Sequence, residues 1–193
     1  MPTAFAATCT ARRRLLGAAA AAVLAGAVPA SARAMPALRR GEPATRSLAF
    51  HNLHTGESLH TLYWEQGRYL EQPLHDIAHL LRDFRNGEVQ PIDVGLLDLL
   101  HAVREGLGAT RPIQLISGYR SAATNAALRA RSHGVARASL HMRGMAADIR
   151  LPGCELRRLR DLAWALRRGG VGFYPRSNFV HVDVGAVRSW IGS

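Results

Sequence analysis

Ser139-Leu140-His141-Met142-Arg143-Gly144-Met145-Ala146-Ala147-Asp148-Ile149-Arg150 is the stretch on which the reading of this chain turns. Its second half has the alternation of a short β-strand. Ala147, Ile149 and Leu151 fall on one face, and Asp148 falls on the other. A second stretch, Phe179-Val180-His181-Val182-Asp183-Val184, repeats the pattern. Val180, Val182 and Val184 share its apolar face, and His181 and Asp183 share the opposite one. Two strands thus each turn a metal-ligating side chain away from an apolar layer. His141 precedes Asp148 by seven residues, on an approach loop that can swing it back to the same place. Two imidazoles and one carboxylate match the donor set of a catalytic zinc site, which keeps a position open.

Working outward, Ser47 to Trp64 alternates around a break at His54-Thr55-Gly56-Glu57, the pattern of a β-hairpin. Leu74 to Phe84 has helical spacing and stops at Asn86-Gly87. Asp93 is placed to cap a second helix carrying Leu96, Leu97, Leu100 and Val103 on one stripe. Pro112 to Ser117 reads as a short strand, followed by a turn at Gly118-Tyr119-Arg120 and an alanine-rich helix capped by Ser121. Glu155 to Arg168 reads as a last helix that ends at Gly169-Gly170. Helices before a late cluster of strands predict an α+β domain, with a small antiparallel sheet carrying the site and packed against helices.

The amino-terminal residues read differently. Arg12-Arg13-Arg14 precede an apolar run from Leu15 to about Pro29, and Ala32-Arg33-Ala34 has the form of a cleavage site. The paired arginines followed by Leu15-Leu16 resemble a twin-arginine export signal over residues 1–34. The run is too short and too rich in Ala and Gly for a membrane anchor, and no later stretch could span a bilayer. Residues 35–46 then form a flexible lead-in, and 47–193 a single domain. Removing residues 1–34 takes away four arginines and no acids, leaving a net charge of +7. The chain has no lysine, so all of this basic charge is arginine. Such a surface suits a polyanion, and export to the periplasm makes an anionic wall polymer the expected partner rather than nucleic acid. Cys154 is the one cysteine left after processing, which rules out an intrachain disulfide.

Other histidines are weaker candidates. His75 and His79 are four apart on a helix but lack the intervening Glu of a zinc-protease pattern, so they read as surface or packing residues. His133 lies in the loop entering the site.

Four motifs in order carry a family resemblance. They are Ser117-Gly118-Tyr119-Arg120-Ser121, Ser139-x-His141-x-x-Gly144-x-Ala146-x-Asp148-Ile149, Gly170-Val171-Gly172-Phe173-Tyr174 and Phe179-Val180-His181-Val182-Asp183. Together with Leu81-Arg82-Asp83-Phe84-Arg85, they resemble the murein endopeptidase K group. That group belongs to the zinc D-Ala-D-Ala carboxypeptidase superfamily, which includes hedgehog-type domains. The resemblance covers about Ser47 to Trp190. It implies a hedgehog-like α+β fold and one Zn2+ per chain, held by His141, Asp148 and His181. It also implies a metallopeptidase acting on the stem-peptide cross-links of peptidoglycan; the chain is expected to be a monomer.

A general base must take a proton from water and pass it to the leaving amine. Many relatives use Glu three residues before the last ligand, or His two before it; here Asn178 and Phe179 stand there. Asp183 shares a strand face with His181, about 6.5–7 Å along it. It is the catalytic candidate, either as the base or as a group that orients His181. Arg120, in the Ser-Gly-Tyr-Arg context, is expected to clamp a substrate carboxylate or oxyanion. Ser139 and Tyr174 are further candidates for contact with substrate, with His133 a weaker one for transition-state stabilisation. Two alternatives stay open from the residues: a D-Ala-D-Ala carboxypeptidase, or a zinc-containing wall-binding module without turnover.

Overall fold

The computed structural model describes residues 44–132 and 134–192. The export signal, most of the lead-in and His133 lie outside the described residues. The chain enters through a hairpin, β1 (Thr45–Asn52) and β2 (Ser58–Glu65), to which β3 (Arg68–Tyr69) adds a short third strand. Gln66 and Gly67 both take positive φ, 47° and 84°, which a tight two-residue connection with the twist of its strands requires. Helices α1 (Glu71–Leu80) and α2 (Val94–Gly106) follow, then β4 (Ile113–Ser117) and α3 (Ala122–Arg131). After β5 (Ala146–Arg150) come α4 (Leu156–Ala165), β6 (Gly170–Tyr174), β7 (Phe179–Asp183) and β8 (Arg188–Ile191).

All eight strands join one sheet in the order β3-β2-β1-β4-β5-β7-β6-β8. Two pairs are parallel, β1 with β4 and β6 with β8. The α+β class is as expected, but the sheet is neither small nor wholly antiparallel. Nor do helices precede the strands: the first hairpin belongs to the same sheet as the site. The β1–β4 pairing joins strands separated by two helices, a long-range contact that local periodicity does not encode. β8 is short and lies at a sheet edge, so its alternation is faint.

The capping residues act as read. Asp93 Oδ1 accepts from Gly95 N at 2.8 Å, and Ser121 Oγ accepts from Thr124 N at 3.1 Å. Helix α1 ends at Leu80 rather than Phe84. Beyond it Phe84 leaves the helical stripe and stacks on His54, with centroids 3.8 Å apart. His75 and His79 are exposed.

The core lies on one face of the sheet. Ala147, Ile149, Leu151, Val180 and Val182 are buried there with Leu96, Leu100 and Leu159. Helix α4 packs on β6 and β7, α2 on β1 and α4, and α1 on β2. No helix among the described residues is long and apolar enough to cross a membrane.

Candidate active site

β5 and β7 run antiparallel, with Asp148 opposite His181 and Ala146 opposite Asp183. Because side chains alternate, burying the Ala and Val residues in the core places Asp148, His181 and Asp183 together on the other face. His141 comes from a 3-10 turn, Leu140–Arg143, just before β5. The turn closes at Gly144, whose φ of 65° and close approach to Pro91 admit no side chain: a Cβ there would sit 2.3 Å from the Pro91 carbonyl oxygen.

Two loops interlock behind His141. Its Nδ1 lies 2.7 Å from the Gly118 carbonyl oxygen, and its own carbonyl accepts from Arg120 N at 3.2 Å. A carbonyl can only accept, so Nδ1 carries a hydrogen, and in the neutral ring that a metal requires Nε2 offers its lone pair. That Nε2 is 3.3 Å from Asp148 Oδ1 and 3.2 Å from His181 Nδ1. His181 Nδ1 and Asp148 Oδ1 are 2.8 Å apart. The three donors fit a zinc ion. At bonds of about 2.0–2.2 Å, a tetrahedral face has edges of about 3.3–3.6 Å, and the observed triangle is a slightly contracted version of it. The outer nitrogen of each imidazole is tied as well: His141 Nδ1 to Gly118, and His181 Nε2 to Asp183 Oδ2 at 3.0 Å. Outer ties of this kind set the tautomer and ring orientation of metal-binding histidines.

Asp183 is fully buried. Its Oδ1 accepts from Gly170 N and Gly185 N, each at 2.9 Å, and Arg188 holds both oxygens, at 3.2 and 2.7 Å. Burial pushes the Asp183 carboxyl up, but His181, Arg188 and the two N–H groups outweigh it and hold it below the usual carboxylate range. For Asp148, burial is likewise outweighed, here by His141 and His181, and its pKa also falls. Burial pushes His181 down, yet its hydrogen bonds to Asp148 and Asp183 win and raise it to about 9 without metal.

The triad opens into a cavity of about 450 Å³. Arg120, Ser139 and Tyr174, singled out from sequence, all line it, together with Phe179, Arg188 and Trp190. The Arg120 side chain is only 12% exposed, with Nη2 3.8 Å from Asp148 Oδ2 and 3.4 Å from Ser117 Oγ. Burial lowers its pKa, while Asp148 opposes that. Asn178 lies in the β6–β7 turn with φ of 53°, a conformation Asn tolerates, and is exposed. Sequence reading missed Arg188 and Trp190. The available signal was Gly170-x-Gly172, two vanished side chains facing Arg188 and Trp190 across the β6–β8 pairing.

A family model described as peptidoglycan L,D-endopeptidase MepK matches residues 40–190. The chain belongs to the MepK family. The peptidoglycan L,D-endopeptidase MepK of Escherichia coli strain K12 is 47% identical over 148 residues, covering 77% of this chain and 81% of the relative. The Haemophilus influenzae protein named probable peptidoglycan L,D-endopeptidase MepK is 41% identical over 151 residues, 78% and 81% of the two chains. No solved structure matches. Membership makes this chain a peptidase of a metal-dependent family, and His141, Asp148 and His181 form a candidate metal-binding group among its described residues.

Proposed function

We propose that this protein is an exported, monomeric zinc endopeptidase of the periplasm that hydrolyses peptide cross-links of peptidoglycan at a bond between an L- and a D-centre. The observation that carries the reading is the triangle of His141 Nε2, Asp148 Oδ1 and His181 Nδ1, with both outer imidazole nitrogens tied back, at the floor of a cavity large enough for a peptide. The names of the relatives favour an endopeptidase over a carboxypeptidase. The export reading of residues 1–34 agrees with a substrate outside the cytoplasm.

When bound by His141, Asp148 and His181, zinc would polarise the scissile carbonyl and make water acidic enough to attack at neutral pH. Arg120 holds a fixed positive charge beside Asp148, where it can bind a carboxylate or the oxygen that becomes negative during acyl transfer. Ser139 and Tyr174 offer hydroxyl groups along the same wall. Asp183 is read as the group that aims His181. Both its oxygens already accept from several donors and it is sealed from solvent, a poor situation for taking up a proton.

The test is digestion of isolated wall sacculi by the purified protein. Cross-linked muropeptides should fall, chelation should stop the loss, and added zinc should restore it. His181→Ala should lose both metal and hydrolysis. Full activity in a metal-free preparation would overturn the proposal.

A further inference from the structure

Trp190 lines the cavity beside the triad and is not among the candidate metal donors. Its seat is made by β6: Gly172 lies between His181 of β7 and Trp190 of β8 in the register of the sheet. A Cβ at position 172 would fall 2.6 to 2.8 Å from three atoms of the indole. The missing side chain is therefore the space that the ring occupies. The indole is 5.2 Å from the His181 ring, and its Nε1 donates to Tyr174 Oη at 2.9 Å. Tyr174 is stacked on Phe179, with centroids 4.4 Å apart and planes 17° from parallel. All three rings line the cavity.

An indole nitrogen can only donate, so Tyr174 Oη is the acceptor in that bond. The phenol keeps its own hydrogen, near the ring plane and on the side away from the indole. Among the described residues no group accepts it. Stacking on Phe179 prevents the ring from turning to find a partner elsewhere. What remains is a donor with a fixed direction in a wall of the cavity.

We propose that Trp190 is a positioning residue that holds Tyr174 as a hydrogen-bond donor to an oxygen of the bound stem peptide, a carbonyl or carboxylate. The inference rests on the endopeptidase reading and adds to it the means by which one substrate oxygen is fixed in the cavity that Arg120 also lines. The test is a double-mutant cycle on the full, zinc-loaded chain with cross-linked muropeptide dimers. Tyr174→Phe keeps the stacked ring and should lower kcat/KM about 10- to 100-fold, the range for losing one bond to a charged or strongly polarised oxygen. Trp190→Phe should lower it severalfold with zinc content and Tm unchanged. The double variant should be no worse than Tyr174→Phe, because the indole acts through the phenol. Calorimetric titration of the metal-free protein with an uncross-linked stem tetrapeptide should rank the variants in the same order. A Tyr174→Phe protein within twofold of the parent, or losses that multiply in the double variant, would overturn the inference. If the parent itself leaves the dimers intact, the endopeptidase reading fails instead, and the titration alone decides the role of Trp190.

Discussion

At the scale of single residues, the two roles open to Asp183 make different predictions. As a general base it would be needed for turnover but not for metal. As the group that aims His181, it would be needed for metal first. Asp183→Asn replaces a carboxylate with an amide that cannot accept from His181, Arg188 and two N–H groups together. We expect zinc affinity, measured by chelator competition, to fall by about 10- to 100-fold. Unchanged affinity with lost hydrolysis would favour the base. His181 gives a second prediction. Its folded pKa in the metal-free protein, about 9, lies above that of a free imidazole. Proton binding therefore stabilises the metal-free fold fully below about pH 6.5, and this contribution is lost as pH rises through about 9. Zinc needs the neutral ring, so its affinity should climb over the same interval. Thermal melts with and without zinc should diverge as pH rises; parallel curves would contradict the assignment.

At the scale of elements, the segment after α1 braces the Arg120 loop. Tyr119 N donates to Leu81 O at 2.7 Å, and a Cβ on Gly118 would meet that same oxygen at 2.4 Å. Asp83 is fully buried and accepts from Ser121 N at 2.9 Å and Arg85 N at 3.1 Å. Burial opposes its charge, but hydrogen bonds from the Thr124 hydroxyl and from Ser121 and Arg85 outweigh it, so its pKa is lowered. A lowered folded pKa stabilises above the ordinary carboxylate value of about 3.9 and is lost as pH falls through the folded value. Asp83→Asn should cost about 1–3 kcal/mol at neutral pH, seen as a lower Tm, and should flatten the acid limb of the stability profile. This brace also shows what the sequence made legible. Asp148 and His181 could be read because each lies in a strand whose alternation is clean, and the end of the hairpin and the caps at Asp93 and Ser121 were local signals. Phe84 was misread because apolar spacing carried on past the point where Leu81 and Asp83 turn to serve another loop. Trp190 and the parallel pairings were missed because their partners are distant in the chain.

At the scale of the whole molecule, the three candidate metal donors reach the site from a turn and two strands that meet only in the folded sheet. An unfolded chain offers no such group, so zinc should bind the native state almost exclusively. At about a thousandfold excess over its dissociation constant, this linkage amounts to about 4 kcal/mol. For a domain of this size that is a rise in Tm of about 8–16 °C. Stripping the metal should reverse it, and a Tm indifferent to zinc would show that the three side chains do not hold it.

The absence of lysine extends to the cleft, where Arg120 and Arg188 supply the guanidinium groups among the described lining residues. Amine-seeking cross-linkers and acylating probes thus have no ε-amino group to attack anywhere on the polypeptide, and coupling it to a solid support through amines would spare the cleft. Dicarbonyl compounds selective for guanidines would behave oppositely, and protection by a stem peptide would report occupancy directly.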